Sequence, residues 1–207
     1  KKKGKIFIEV PNLLYPTISI SGYFCFEHIV HFTPWSLKDL LIEEGFKSFY
    51  LDTEVKKVVR LIGSLDSDLL SPDKIDALSK DYEDAKTIVL KYHKRQERFK
   101  ADIKNQLEGL IKKWKSKGLK IAMYGAGIHS LELSKIVNFQ SSIEFFIDGD
   151  KRKHGKEFLG VPVVPPKHLS IEKVGALFIS SVNFREEMAA TARYYAGSNL
   201  IIENCYD

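Results

Sequence analysis

Leu119-Lys120-Ile121-Ala122-Met123-Tyr124 runs without interruption into Gly125-Ala126-Gly127, and this junction narrows the possible folds more than anything else in the chain. A short apolar strand that ends in Gly-x-Gly and opens a helix is the turn of a dinucleotide-type βαβ unit. Glycine there permits a tight reversal and a close backbone approach. Leu131, Leu133, Ile136 and Val137 supply the helical stretch that follows. A second strand, Ile143-Glu144-Phe145-Phe146-Ile147, ends in Asp148. Val161–Val164, Ala176–Ser180 and Leu200–Ile202 read as further strands, with a helix over Arg185–Tyr195 between the last two. Such alternation predicts a parallel sheet joined by right-handed crossovers. Residues 119–207 are therefore expected to be a Rossmann-like α/β domain.

Upstream, residues 71–118 read as a helical linker. Ser71-Pro72-Asp73 offers a cap, a first-turn proline and a first-turn acid. Apolar residues then recur at Ile75, Leu78, Tyr82, Ala85, Val89, Tyr92, Phe99, Ile103, Leu107, Leu110 and Trp114, with Gln96 as the interruption. The steps of three and four describe one or two long amphipathic helices, two if the interruption near His93–Gln96 is a break. Two readings stay open: packing against the flanking domains, or self-association into a homodimer.

Residues 1–70 are too small and too broken for a comfortable domain and are expected to be part of a larger sheet. Lys5–Val10 is a β-branched, aromatic strand stopped by Pro11-Asn12. Thr33 caps a helix with Pro34 in its first turn, Leu37, Leu40, Leu41 and Ile42 form its buried face, and Gly45 ends it. Phe46–Leu51 and Val58–Ile62 are strand-like and suit a hairpin.

Composition excludes several classes. No apolar run approaches the ~20 residues that span a bilayer, so no membrane association is expected. The two cysteines, Cys25 and Cys205, are too few for a disulfide framework or a zinc site. A reducing cytoplasm fits best. The net charge of +5 is spread along the chain, and its densest stretch, Lys91–Lys120, mixes in Glu and Asp at helical spacing. That is a solvated helix face and not a nucleic-acid groove.

Two constellations are candidates for chemistry, each beside a plainer reading: packing alone at the glycine turn, a solvated surface loop after Asp148, and loop anchoring by hydrogen bonds at His28. The Gly125 and Gly127 turn precedes a helix whose free N–H groups suit an anion, and Asp148 stands about where a ribose-binding carboxylate would. Ser130 replaces the third glycine of that fingerprint. Asp148-Gly149-Asp150, with Lys151, Arg152, Lys153 and Lys156, forms a polar loop at the strand's carboxyl end, where such folds hold ligands. Gly125, Gly127, Asp148 and Lys153 are thus candidate small-molecule contacts. The other constellation is Glu27-His28 with His31: histidine moves protons near neutral pH, and a neighbouring carboxylate can orient it. No third ligand at metal spacing presents itself.

The strings Ile8-Glu9-Val10-Pro11-Asn12, Phe26-Glu27-His28-Ile29-Val30-His31-Phe32-Thr33 and Ser36-Leu37…Leu41…Gly45-Phe46 resemble the last third of class I S-adenosylmethionine-dependent methyltransferases. There a Val-Pro-Asn unit follows the fifth sheet strand, and the later pieces lead into the final helix and antiparallel hairpin. Tyr124-Gly125-Ala126-Gly127, Ile147-Asp148…Lys153-His154-Gly155-Lys156, Gly160-Val161-Pro162-Val163 and Pro165-Pro166 are similar to the appended C-terminal domain of deoxysugar C-methyltransferases. The resemblance implies methyl transfer to a sugar-like or nucleotide-sugar acceptor, with S-adenosylmethionine as cofactor of the full-length protein. Its glycine-rich donor loop does not occur before Ile6, so this chain alone is expected to lack a complete donor site. Glu27 and His28 match the last two positions of the family's Tyr-x-Glu-His motif, making His28 the implied base and Glu27 its partner. The tyrosine position holds Cys25, with Tyr23 two residues earlier as the substrate-side tyrosine. A non-catalytic nucleotide or nucleotide-sugar binding module is the alternative.

Overall fold

The computed structural model describes residues 4–24, 28–52, 54–67, 69 and 81–206. Two compact units result, Lys1–Phe99 and Lys100–Asp207.

In the first unit, β1 (Lys5–Pro11), β2 (Ser48–Asp52) and β3 (Val58–Ser64) form a sheet in the order β1-β3-β2. Both outer strands run antiparallel to β3, so they run parallel to each other. Glu9 and Asp52 flank Arg60 from the two sides, and the Glu9–Arg60 contact is 2.5 Å. This charged row marks one face as the outer one. The opposite face receives α1 (Pro34–Glu43). Thr33 and Ser36 form a reciprocal capping box with Pro34 in the first turn. Gly45, at φ +89°, ends the helix. Leu37 and Leu41, one turn apart, pack on Phe49, Leu51, Val59 and Leu61. Leu40 and Ile42, expected on that face, are 41% and 46% exposed. They lie too far around the helix from the Leu37–Leu41 line. Lys38 is buried instead, its ammonium 5.1 Å from the Trp35 ring.

Of the one or two helices expected, a single one, α2 (Asp81–Ser116), runs through the described part of this segment. The interruption at Gln96 is not a break, because that polar side chain is buried and bonded within the first unit. Its amide donates to Ser19 O and Ile20 O, and its carbonyl oxygen lies 3.2 Å from the Tyr92 hydroxyl. A satisfied amide can hold an apolar stripe's place without ending the helix. Ala85 and Tyr92 are buried with it, whereas Tyr82 and Val89 are 72% and 40% exposed. Farther along, Ile103, Leu107, Ile111 and Trp114 are buried, and the Trp114 ring sits 4.6 Å from Phe178 in the second unit's sheet. The expected helix start at Ser71-Pro72-Asp73, with Ile75 and Leu78, lies outside the described residues.

The second unit is a six-stranded sheet in the order β6-β7-β5-β4-β8-β9. Its strands are β4 (Ile121–Tyr124), β5 (Phe146–Ile147), β6 (Glu157–Phe158), β7 (Val161–Val164), β8 (Ala176–Ile179) and β9 (Ile201–Asn204). All neighbours pair in parallel except β6 with β7. Central strands β4 and β8 are buried at every position, as parallel strands covered on both faces must be. α3 (Ile128–Ser134) follows β4, and α4 (Arg185–Ala196) lies between β8 and β9. The β6–β7 hairpin turns through Leu159 and Gly160, both at positive φ, the pattern of a type I′ turn. β5 is shorter than the apolar run predicts, although Glu144 N–H to Ile121 O and Met123 N–H to Phe145 O extend its pairing. The strand order reverses between β4 and β8, which puts the crevice of the sheet at their carboxyl ends.

Candidate functional site

Both glycines of the turn sit in that crevice, for different reasons. Gly125 has φ +111°, and a Cβ there would collide with Ser180 Oγ at the end of β8. Ser130 Oγ reaches Gly125 O, lies 2.8 Å from Ser180 Oγ and is buried. Ser130 and Ser180 thus tie the turn to the carboxyl ends of two strands, which explains why a serine stands where the fingerprint has its third glycine. Gly127 is ordinary extended backbone, and a Cβ there would meet nothing within 4 Å. Protein packing accounts for Gly125 and leaves Gly127 open to solvent or a ligand.

Asp148 turns back on this structure. Its Oδ2 accepts from Ala126 N–H at 2.9 Å and from the Lys153 ammonium at 2.8 Å, while Oδ1 accepts from Asp150 N–H at 2.8 Å. Lys153 also donates to Ala126 O at 2.8 Å, and His154 Nε2 lies 2.8 Å from Asp148 O. A carboxylate has about four acceptor positions, so about one remains. Asp150 caps the short 3₁₀ turn Lys151–Lys153, and its hydrogen bonds from the Arg152 guanidinium hold its carboxyl well below the usual range. Nearby Tyr124 is buried; burial first, then the charge of Asp148, raises its phenol above the ordinary value. It therefore stays a neutral hydroxyl at physiological pH.

In the first unit, the loop before α1 collects aromatic rings. Tyr23 is buried against Phe24, His31 and Tyr92, with ring centroids 5.2, 5.0 and 6.4 Å away. The Tyr23 N–H donates to the Tyr92 hydroxyl at 2.5 Å. Its own hydroxyl and His31 Nε2 are buried without a hydrogen-bond partner among the described residues. Such orphaned atoms are uncommon in folded proteins. Burial first, then Tyr92, pushes the Tyr23 phenol up to about 12. His28 is exposed on the same loop, beside Ile29 and Val30 at 87% and 64% exposure. Glu27 and Cys25 lie outside the described residues. The structure thus gathers Gly125, Asp148 and Lys153 into one cluster and pairs Tyr23 with His31. Ser180 escaped sequence reasoning, although a serine directly after the apolar run Ala176–Ile179 signals the carboxyl end of a strand.

A sequence-family profile described as the C-methyltransferase C-terminal domain matches residues 58–203. The chain belongs to that family. No curated protein matches the chain significantly. Among solved structures, RSP, a Rex-family repressor, matches at 16% identity and a TM-score of 0.33, covering 42% of this chain and 52% of that one. RSP in complex with β-NAD+ and operator DNA matches at 15% identity and a TM-score of 0.32, covering 42% and 50%. The chain spans about half the length of these structures. Among the described residues of this C-methyltransferase C-terminal domain, no helix is long and apolar enough to cross a membrane, and no group of three or more His, Cys, Asp or Glu side chains is placed to hold a metal.

Proposed function

We propose that this chain is the C-terminal portion of an S-adenosylmethionine-dependent C-methyltransferase acting on a sugar-like or nucleotide-linked keto acceptor in the cytoplasm. Besides family membership, the order β1-β3-β2 supports the reading. The sequence resemblance calls for a strand, a helix and an antiparallel hairpin, and the first unit has that arrangement. Strand β1 is an edge, and Ile6 and Phe7 on it are 37% and 63% exposed. An apolar edge strand of this kind is normally paired or covered, which is what further strands of a methyltransferase sheet would do.

When bound, S-adenosylmethionine supplies an electrophilic methyl group. The described residues carry no donor site: the Gly125–Gly127 turn belongs to the second unit, and its carboxylate is occupied by Ala126 N–H and Lys153. The chain's share of the chemistry in this reading is at the acceptor. His28 takes the proton from the carbon beside the keto group, Glu27 supports the resulting imidazolium, and Tyr23 belongs to the acceptor's surroundings. His28→Asn in the full-length protein is expected to lower the chemical step by ~10²–10⁴-fold. It should equally slow deuterium exchange at the acceptor carbon, measured in D₂O without donor. Unchanged turnover and unchanged exchange would remove His28 from the mechanism.

A second reading, a non-catalytic nucleotide or nucleotide-sugar module, is favoured by the strand reversal at β4 and β8 and by the open position at Gly127. Self-association through the exposed Tyr82 and Val89 of α2 is compatible with either.

A further inference from the structure

Within the first unit, a groove of about 520 Å³ lies between the first turns of α1 and the N-terminal turns of α2. Trp35 and Asp39, four residues apart on α1, line one wall. Tyr82, Lys86, Val89 and Leu90 follow one another at helical spacing on α2 and line the other. Leu13 and Ala85 add to a lining that is mostly apolar. Tyr82 and Leu90 project from it, 72% and 69% exposed. Two charges of opposite sign, Asp39 and Lys86, stand on the two walls, and neither has an ion-pair partner among the described residues. An aromatic and aliphatic patch of this kind, rimmed by polar groups, marks an interaction surface.

We infer that this groove is the contact between two copies of the chain, related by a two-fold axis that passes between Asp39 and Lys86. A two-fold interface applies one patch to itself, so the patch must carry both halves of every contact. This one does. It has a hollow and, beside it, two projecting apolar side chains to enter the hollow of the partner. It also has one acid and one base on facing walls. An axis midway between them sets Asp39 against the partner's Lys86 and Lys86 against the partner's Asp39, so two residues make two ion pairs. Other occupants use only part of the surface. A small ligand in the groove leaves Tyr82 and Leu90 in solvent, and a partner of a single charge sign meets repulsion from either Asp39 or Lys86. Tyr and Trp are the usual anchors of protein interfaces, and Tyr82 and Trp35 supply them here. The contact uses neither His28 nor the glycine turn, so it stands or falls apart from the methyl-transfer reading.

Sedimentation equilibrium of the 207-residue chain tests this. A reversible dimer is expected at concentrations up to about 100 μM. Asp39→Lys and Lys86→Asp should each weaken it by at least about tenfold, because each sets like charges against one another twice. The double variant Asp39→Lys, Lys86→Asp exchanges the pairs without losing them and should recover the parent's association. Leu90→Glu should also dissociate the dimer, whereas Tyr194→Lys, at a comparably exposed ring on α4, leaves it unchanged. Circular dichroism matching the parent's shows that each variant has folded. A chain that stays monomeric, single reversals that associate like the parent, or a double variant no stronger than the singles would overturn the assignment. So would a full-length protein that is monomeric where the 207-residue chain is dimeric, since the groove would then belong to its upstream segment.

Discussion

Replacing Gly125 and Gly127 separately by alanine tests whether the two glycines of the turn have different causes. At Gly125 the chain holds φ +111°, beyond even the left-handed helical region that L-residues visit. An alanine forced there costs about 1–3 kcal/mol in backbone strain. Its Cβ would also overlap Ser180 Oγ, and that hydroxyl cannot move freely. It lies 3.1 Å from Tyr124 O, 3.2 Å from Gly125 O and 2.8 Å from Ser130 Oγ. Displacing it adds roughly 1–3 kcal/mol of overpacking and lost hydrogen bonding. Against this, alanine stiffens the unfolded chain by about 0.4–1 kcal/mol. Gly125→Ala should therefore destabilise the second unit by about 1–6 kcal/mol. At Gly127 the backbone is extended and the space empty, so Gly127→Ala should be neutral or slightly stabilising, by up to about 1 kcal/mol. Urea unfolding followed by tryptophan fluorescence reads this out in a Trp35→Phe background, where Trp114, packed on Phe178, is the remaining reporter. Equal effects of the two substitutions would refute the argument. So would a Gly125→Ala protein within about 0.5 kcal/mol of its parent, the scatter of ordinary surface changes.

Two further outcomes follow from the first unit. Gln96→Leu should strip Ser19 O and Ile20 O of their amide donor, at about 1–3 kcal/mol for each carbonyl left bare; a urea midpoint equal to or above the parent's would show that water replaces it freely. The Tyr23 phenol, held up to about 12 by burial against an ordinary value of 10, favours the folded state only while neutral. Its contribution is complete below pH 10 and is lost as the pH rises from 10 through 12. Tyr23→Phe should flatten that part of the stability profile, and an identical loss in parent and variant would contradict the assignment.

Residue patterns carried far in the second unit because its strands are buried on both faces. Ile121–Tyr124 and Ala176–Ile179 are continuous apolar runs whose type admits little else once glycine follows one of them. The same logic missed β6, two residues long and made by a positive φ at Leu159, a conformation no local pattern announces for leucine. On α2, periodicity placed the stripe but left one helix or two open at Gln96, since the carbonyls that satisfy it lie 76 and 77 residues earlier. On α1 the caps were legible and the buried face only in part: helical spacing fixes which residues share a line, while the partner surface decides how wide that line becomes. The candidate site divides the same way. Glycine and acid were visible at the turn, but the clamp from Lys153 and the bracket from Ser180 depend on chain segments brought together by the sheet.

That clamp changes where ligand chemistry in this unit belongs. An acid at the end of the second strand can serve a sugar hydroxyl only with lone pairs to offer, and Asp148 has committed about three of four to its own turn. The Lys153 ammonium also offsets its charge, with the carboxylate side chain only 13% exposed. Freeing it would leave Ala126 N–H and a half-buried ammonium without their acceptor, an unfavourable exchange for one hydroxyl contact. Among the described residues, the charge at this end of the sheet without an ion-pair partner is positive: Lys151 and Lys167, beside α4. The glycine turn therefore acts first as the brace that holds this loop in place, and not as half of a ribose site.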